Sequence, residues 1–157
     1  MSGTDDIPPC LIFIDKEGKW FHKGVEMIHR EIINLFYQHI HLDSQGRYVI
    51  LWEGEHCYLE VEDTPFIVRK ALFKETTQAH HARFILFLSD ETQEDLSPDT
   101  LTVGGDNVLY CKVKNGNFPA RFDRPAYYQL AQHIEEQKGD YFLPLNGKDY
   151  QIRREYE

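Results

Sequence analysis

Apolar residues in two stretches of the chain recur with the period of an amphipathic helix. Ile33, Phe36, Tyr37 and Ile40 lie three or four residues apart, so they share one face of a helix predicted over residues 29–41. Matching positions follow 94 residues later, at Tyr127, Leu130, Ala131 and Ile134. The pattern predicts two helices with one buried face each. In the second, Tyr127 and Leu130 should be buried, and Gln129 and Gln132 should be exposed.

Alternating apolar and polar residues after each helix predict β-hairpins. Residues 48–52 and 56–61 flank a turn at Gly54, and residues 141–145 and 149–152 flank Asn146-Gly147, a dipeptide typical of tight hairpin turns. Gly54 and Gly147 are 93 residues apart, close to the spacing of the helices. A duplicated unit of one helix and one hairpin follows from this recurrence. In the second copy, Asp123 is expected to cap the start of the helix, Pro125 to lie in its first turn and Gly139 to end it.

The rest of the chain is predicted to be β-rich. A first hairpin is expected at residues 11–22, and strands are expected at 66–73, 83–88, 101–103 and 108–113. The predicted class is therefore α+β, with two pseudo-repeated helix plus β-hairpin units and an antiparallel β-rich connector. One compact globule would contain a disordered arm (1–9), a first unit (10–65), the connector (66–113) and a second unit (114–157).

Charge and hydropathy restrict the partners. The net charge is −9, which opposes binding to nucleic acid and to anionic membrane surfaces. The N-terminus does not resemble a signal peptide, and no apolar run reaches membrane-spanning length. We therefore predict a cytoplasmic protein that binds neither nucleic acid nor membranes.

The cysteines and histidines do not predict a cofactor or a metal site. Cys10, Cys57 and Cys111 are odd in number and widely spaced, so they are expected to be free, buried thiols in a reducing compartment. His39 and His41 would point to different sides of a helix, and the pair His80-His81 has no ligand partner at a suitable spacing.

Two arginines occupy equivalent positions at the starts of the predicted helices. Arg30 and Arg124 would face the positive end of each helix dipole, so a neighbouring negative charge is expected. An ion pair with Glu62 or Asp63 is one possibility. The other is an anionic ligand held by the guanidinium and the free helix N–H groups, with Arg121 adding positive charge beside Arg124.

Other candidates come from strands and turns. Trp20 and His22 share one side of a strand, where they serve either a core or a ligand cleft. Glu62 and Asp63 are adjacent on an extended chain and point in opposite directions, so they do not form a geometric acid–base pair. The sequence contains no nucleophile motif and no phosphate-binding glycine loop.

Three blocks of residues carry a resemblance to a known family. They are Trp20-Phe-His-Lys-Gly24, Val61-Glu-Asp-Thr-Pro-Phe66 and Ala120-Arg-Phe-Asp-Arg124. With these blocks the chain resembles the bacterial domain-of-unknown-function family 1285, from about residue 14 to about residue 152. The resemblance implies a bacterial cytoplasmic protein with an α+β fold of repeated motifs, and a role in ligand binding or signalling. It implies no established activity, cofactor or catalytic residue.

We therefore predict a small-ligand-binding or regulatory module without catalysis, whose partner is a small anionic molecule or another protein. One alternative is a hydrolase or isomerase that uses Glu62 or Asp63 with a nearby histidine. Another is a scaffold that binds a protein through its aromatic sheet. The candidate ligand-binding residues are Trp20, His22, Arg30, Glu62, Asp63, Phe66, Arg121, Arg124 and Tyr127.

Overall fold

Contacts divide the chain into two units, one ending at Pro65 and the other beginning at Phe66. The computed structural model describes residues 7–77 and 81–155. His80 and most of the arm predicted over residues 1–9 lie outside these ranges, and Pro9 already begins a strand. No helix in the described ranges is long and apolar enough to cross a membrane.

In the first unit, residues 7–65 form one helix and a six-stranded sheet in the order β3-β2-β1-β6-β5-β4. Its elements are β1 (Pro9–Ile14), β2 (Trp20–His22), β3 (Val25–Glu26), α1 (Arg30–Tyr37), β4 (Ile40–Leu42), β5 (Tyr48–Trp52) and β6 (Glu55–Val61). The predicted hairpins β1–β2 and β5–β6 are present. However, β1 pairs parallel with β6, and this pairing joins the strands before α1 and the strands after α1 into one sheet.

Aromatic side chains form the core under α1. Trp20 is 1% exposed and packs edge-on against Tyr37, with ring centroids 4.8 Å apart. The Tyr37 hydroxyl donates to the carbonyl oxygen of Pro65 at 2.9 Å. This hydrogen bond holds the end of α1 to the last residue of the unit.

The first helix ends at Tyr37, four residues before the predicted end at His41. The reason is that residues 40–42 gain more as a strand: they pair antiparallel with β5, and this places Ile40 opposite Ile50 in the core. An apolar residue at helical spacing can equally begin a buried strand.

The turn between β4 and β5 is organised by Asp43. Its Oδ1 accepts hydrogen bonds from the backbone N–H groups of Arg47 at 2.8 Å and Gln45 at 2.9 Å. The Arg47 guanidinium donates to Oδ2 at 2.9 Å. The backbone bond from Arg47 contributes most to holding the pKa of the Asp43 carboxyl below its ordinary value.

We expect this turn to weaken in acid. Because the folded pKa of Asp43 is depressed, its contribution to stability is present above the unfolded pKa of about 3.9 and is lost as the pH falls through the folded value. Urea unfolding between pH 7 and pH 2, followed by tryptophan fluorescence, measures it, since both tryptophans lie in this unit. In Asp43→Asn the acid loss of stability should be smaller. An unchanged pH profile would contradict this account.

The prediction of three free cysteines is wrong. Cys10 and Cys57 form a disulfide. The parallel pairing of β1 with β6 explains the disulfide. Because Pro9 lies opposite Tyr58, the neighbouring Cys10 and Cys57 come together although they are distant in sequence. Cys111 is free and buried, and burial, with a smaller effect of Glu94, raises the pKa of its thiol.

In the second unit, the described residues form one helix and a nine-stranded sheet in the order β13-β14-β15-β10-β11-β12-β7-β8-β9. Its elements are β7 (Phe66–Glu75), β8 (Ala82–Leu88), β9 (Gln93–Asp95), β10 (Thr102–Val103), β11 (Leu109–Val113), β12 (Phe118–Phe122), α2 (Arg124–Ala131), β13 (Glu135–Gln137), β14 (Asp140–Leu145) and β15 (Lys148–Arg154). Short 3-10 turns at Pro98–Thr100 and Gly105–Asn107 precede and follow β10.

The predicted class, α+β with repeated helix-plus-hairpin units and an antiparallel connector, is wrong. The described part of the chain is mostly β, with two short helices and two mixed sheets. Each helix is followed by three strands instead of two, and the connector is not purely antiparallel, because β12 pairs parallel with β7 and β10 with β15. Parallel partners lie far apart in sequence, so local alternation does not reveal them.

The second helix begins as predicted and ends early. The Asp123 side chain caps it by accepting from the N–H of Ala126 at 3.1 Å, and Pro125 lies in the first turn. The helix ends at Ala131, and Gly139 instead forms a turn with Lys138 in which both have positive φ, at 54° and 85°. Two such residues are typical of the type I′ turn that joins a hairpin, here β13 and β14.

The buried face of α2 is partly as predicted. Leu130 is fully buried and Gln132 is exposed, whereas Tyr127 is half-buried. Gln129 is not exposed either: its Oε1 accepts a hydrogen bond from the backbone N–H of Ala71 at 2.7 Å. This bond lies just past a register shift in the β7–β8 pairing, between Val68 and Lys70. This polar side chain is therefore half-buried, because it satisfies a backbone donor there.

Candidate functional site

A cavity in the second unit lies where the ends of several elements meet. It has a volume of about 580 Å³, within the range of about 300 to 1,000 Å³ common for small-molecule sites. The end of β7, the start of β8, the C-terminal end of α2, the start of β13 and the β14–β15 turn surround it. The lining residues are Phe73, Glu75, Thr76, Thr77, His81, Ala82, Gln132, His133, Glu135, Pro144, Leu145 and Asn146.

The end of α2 supplies three of the polar side chains. After Ala131 the chain tightens, because His133 N–H donates to the Leu130 carbonyl at 2.9 Å and Ile134 N–H to the Ala131 carbonyl at 3.1 Å. These bonds use carbonyls that the helix itself leaves unpaired. The chain then enters β13, so Gln132, His133 and Glu135 are all presented to the cavity.

Ring packing fixes His133. Its imidazole lies 4.7 Å from the ring of Phe73 and 5.0 Å from the ring of Phe84, between centroids, and the contact with Phe84 is edge-on. Phe84 is 1% exposed and belongs to the core. The imidazole therefore has an apolar wall behind it and lines the cavity in a defined orientation.

The turn of the last hairpin is tied to β8 by two hydrogen bonds. Asn146 Oδ1 accepts from the N–H of Ala82 at 2.8 Å, and Asn146 Nδ2 donates to the Ala82 carbonyl at 2.8 Å. Asn146 and Gly147 have φ of 54° and 79°, which gives the type I′ turn predicted from this dipeptide. This wall of the cavity is therefore held in place before any ligand arrives.

The charges at the cavity are negative. Glu75 and Glu135 contribute carboxylates, and none of the described lining residues is a lysine or an arginine. The carbonyl end of α2 adds the negative end of the helix dipole at Gln132 and His133. The lining thus combines an apolar part, formed by Phe73, Pro144 and Leu145, with a negatively charged part.

Little in the sequence indicates this site. None of the predicted site residues lines the cavity. His133 packs between aromatic rings, a position that the sequence does not indicate. The sequence predicts the Asn146-Gly147 turn, which forms part of the lining. It does not predict that this turn is bonded to Ala82, because the two residues are 64 positions apart.

Three of the predicted site residues in the first unit lie on or under its sheet. Trp20 is buried, and its Nε1–H has no hydrogen-bond partner among the described residues. His22 is exposed at the end of β2, and Arg30 is the exposed first residue of α1.

The paired acids of the first unit have separate surroundings. Glu62 Oε1 accepts a hydrogen bond from the N–H of Lys16 at 2.9 Å, which ties it to the β1–β2 turn. Asp63 lies close enough to Tyr48 to raise the pKa of that phenol, although burial is the larger cause. The two carboxylates therefore do not act on one point, as their alternation along the chain indicated.

The predicted site residues of the second unit lie around β12 and the start of α2. Phe66 is 1% exposed and packs on Phe118 at 5.2 Å between centroids. Arg121 lies in β12 and Arg124 is the exposed first residue of α2. The Tyr127 ring packs edge-on against that of Tyr128 at 5.4 Å.

Asp123 occupies the N-terminus of α2 at which an anionic ligand was predicted. Besides capping the helix, its Oδ2 lies 3.6 Å from the Arg69 guanidinium. A carboxylate of the protein itself thus lies between Arg121 and Arg124 in the sequence, and an anionic ligand at the start of α2 would have to compete with it. Anion binding by these two arginines stays a prediction.

Two solved structures resemble this one over most of its length. A crystal structure of a DUF1285 family protein from Silicibacter pomeroyi DSS-3 superposes with a TM-score of 0.77 at 17% sequence identity, covering 94% of this chain and 83% of that one. A crystal structure of a DUF1285 family protein from Shewanella baltica OS155 superposes with a TM-score of 0.63 at 20% identity, covering 78% of this chain and 91% of that one.

Sequence comparisons add nothing to this result, because no family model and no curated protein matches the chain. At these identities the likeness concerns the fold. It agrees with the resemblance that the three sequence blocks indicate. The chain therefore resembles the DUF1285 family and shares the fold of these two proteins.

Proposed function

We propose that the protein is a small-molecule-binding module without catalysis, and that its ligand occupies the cavity of the second unit. The observation that carries the proposal is a cavity of about 580 Å³ whose wall is fixed by the two Asn146–Ala82 hydrogen bonds. A wall held in place lowers the cost of ordering the site when a ligand binds.

The lining provides complementary contacts for such a molecule. The apolar surfaces of Phe73 and Leu145 would cover the hydrocarbon part of a ligand, while Gln132 and His133 would hydrogen-bond its polar groups. Occupancy would stabilise the unit by mass action, about 2.7 kcal/mol at a hundredfold excess over Kd. This linkage is the physical basis on which a regulatory or signalling role would rest.

Native mass spectrometry of the purified protein, with Leu145→Trp as the comparison, tests the proposal. The indole would fill the cavity from the end of β14, where Leu145 is half-buried. We expect a co-purified molecule on the wild type that is missing from Leu145→Trp. As a control, Leu51→Trp changes an exposed leucine of the first unit and should retain the molecule. A molecule that remains on Leu145→Trp would refute the proposed location.

Catalysis by Glu62 or Asp63 is less well supported than binding. The hydrogen bond from Lys16 N–H to Glu62 gives this carboxylate a structural role in a turn. A Glu62→Gln variant should therefore change stability more than any activity. The enzyme alternative stays a prediction.

The scaffold alternative also stays a prediction. The observation that bears on it is a row of exposed apolar side chains in the first unit, where Ile28, Ile32 and Leu35 are 74%, 44% and 37% exposed. The spacing of Ile32 and Leu35 places them on one side of α1, away from the buried Ile33 and Tyr37, and Ile28 lies just before the helix.

The disulfide bears on location. The predicted cytoplasmic location depended partly on three free thiols, and Cys10–Cys57 leaves one. Disulfides persist mainly in oxidising compartments, so this pair favours such a compartment over the cytoplasm. Alkylation of cell fractions before and after reduction would decide between the two.

A further inference from the structure

We infer that the ligand of the cavity is a small organic amine, protonated at neutral pH, with an apolar portion. The inference rests on the proposed function, because it names the class of molecule held at the same site. It departs from the anionic ligand that the sequence predicted, because Arg121 and Arg124 do not line this cavity.

The charges at the cavity favour a cation. Glu75 and Glu135 approach the cavity from different elements, β7 and the start of β13, and no described lysine or arginine lines it to neutralise them. An ammonium group placed there gains charge-assisted hydrogen bonds to carboxylates. A carboxylate or phosphate ligand would instead meet two like charges.

The orientation of α2 also favours a cation. The carbonyl end of the helix reaches the cavity at Gln132 and His133. The opposite, N-terminal end is capped by Asp123. The carbonyl end carries partial negative charge and favours cations over anions. The effect acts in the same direction as that of the two carboxylates.

The aromatic and apolar part of the lining favours a cation that carries a hydrocarbon group. Phe73 lines the cavity, and its ring contacts His133 at 4.7 Å between centroids, so the two rings form one connected surface. A phenyl face attracts cations as well as hydrocarbon. Leu145 and Pro144 extend this surface, which suits an amine with an aryl or alkyl group better than ammonium itself.

A metal ion is the competing cationic occupant, since histidines and glutamates share the lining. Among residues 7–77 and 81–155, no group of three or more His, Cys, Asp or Glu side chains is arranged to hold a metal ion. The volume of about 580 Å³ is also far larger than a single ion requires. Both observations favour an organic cation.

Pairs of molecules that match in size and differ in charge test the inference. The probes are phenethylamine and phenylacetate, tyramine and 4-hydroxyphenylacetate, and putrescine and succinate, titrated into the full chain by protein-observed NMR. The variants are Glu135→Gln and, as the matched control, Glu136→Gln, the adjacent exposed residue of β13 that does not line the cavity. Leu145→Trp reports on the cavity itself.

We expect the amines to bind the wild type more tightly than their paired carboxylates, and to lose binding in Leu145→Trp. Glu135→Gln should weaken amine binding about tenfold, as expected for the loss of a charge-assisted hydrogen bond. Glu136→Gln should leave it unchanged.

Several outcomes would overturn the inference. Carboxylates that bind more tightly than amines, and lose binding in Leu145→Trp, would refute the amine and leave the cavity as the binding site. Equal amine affinities in Glu135→Gln and Glu136→Gln would refute the role of the carboxylate, and failure of every amine to bind the wild type would refute the inference as a whole. Binding that persists in Leu145→Trp would refute the cavity and the proposed function together.

Discussion

Removal of the Cys10–Cys57 disulfide should destabilise the first unit by about 2 to 4 kcal/mol. The bond joins cysteines separated by 47 positions and thereby closes a loop that spans most of this unit. Without the cross-link, the unfolded chain regains the freedom that the closed loop denies it. The parallel β1–β6 pairing would lose a covalent link beside its register shift between Pro9 and Phe13.

Urea unfolding of a Cys10→Ser, Cys57→Ser double variant, followed by tryptophan fluorescence, measures this loss. Trp20 and Trp52 are the two tryptophans of the chain, so the signal comes from the first unit. Dithiothreitol should lower the stability of the wild type to that of the double variant and should leave the double variant unchanged. A wild type that is insensitive to dithiothreitol would mean that the disulfide does not stabilise the unit.

The substitution Leu130→Ala should destabilise the second unit by about 2 to 5 kcal/mol, the range for emptying a buried leucine site. Leu130 is fully buried on the face of α2 that packs on β7. The neighbouring Gln129 Oε1 is bound to Ala71 N–H, so α2 cannot shift to fill the space without breaking that bond. Because α2 can relax only slightly into the space, the loss of stability should exceed the lower end of this range.

Thermal and urea unfolding monitored by far-ultraviolet circular dichroism measure the Leu130→Ala effect. The matched control is Tyr128→Ala in the same helix, because Tyr128 is 57% exposed and its loss should cost less than about 1 kcal/mol. Similar losses for the two variants would mean that α2 does not bury the Leu130 face.

The parts of the fold that the sequence predicted are local. The Asn146-Gly147 turn, the hairpins on either side of Gly18 and Gly54, and the Asp123 cap of α2 all depend on residues close in sequence, and all are present. Turn residues with positive φ and capping side chains have few alternatives.

The parts that the sequence did not predict depend on distant contacts. Ile40 and Ile134 continue the helical pattern, yet each helix ends before them. Ile40 begins β4, which pairs with β5, and β13, which pairs with β14, begins one residue after Ile134. The strand Phe118–Phe122 and its parallel pairing with β7 bring residues about fifty positions apart into register. The Cys10–Cys57 disulfide depends on the same kind of long-range pairing.

The sequence does not predict the cavity, because its lining residues are also distant from one another along the chain. Phe73, His133 and Asn146 come from three separate stretches, and none belongs to a motif with known chemistry. Arg30 and Arg124 were predicted as ligand-binding residues because they occupy equivalent positions at the helix starts. In the structure, the start of α2 is capped by the protein's own Asp123.

The most direct test of the proposed site is chemical-shift mapping on the ¹⁵N-labelled full chain with phenethylamine and phenylacetate as probes. We expect the perturbed amides to cluster at Phe73, Ala82, His133, Leu145 and Asn146, and the perturbations to disappear in Leu145→Trp. Perturbations centred on Arg124 or on residues 7–65, with the amides around His133 unchanged, would contradict the assignment of the cavity as the binding site.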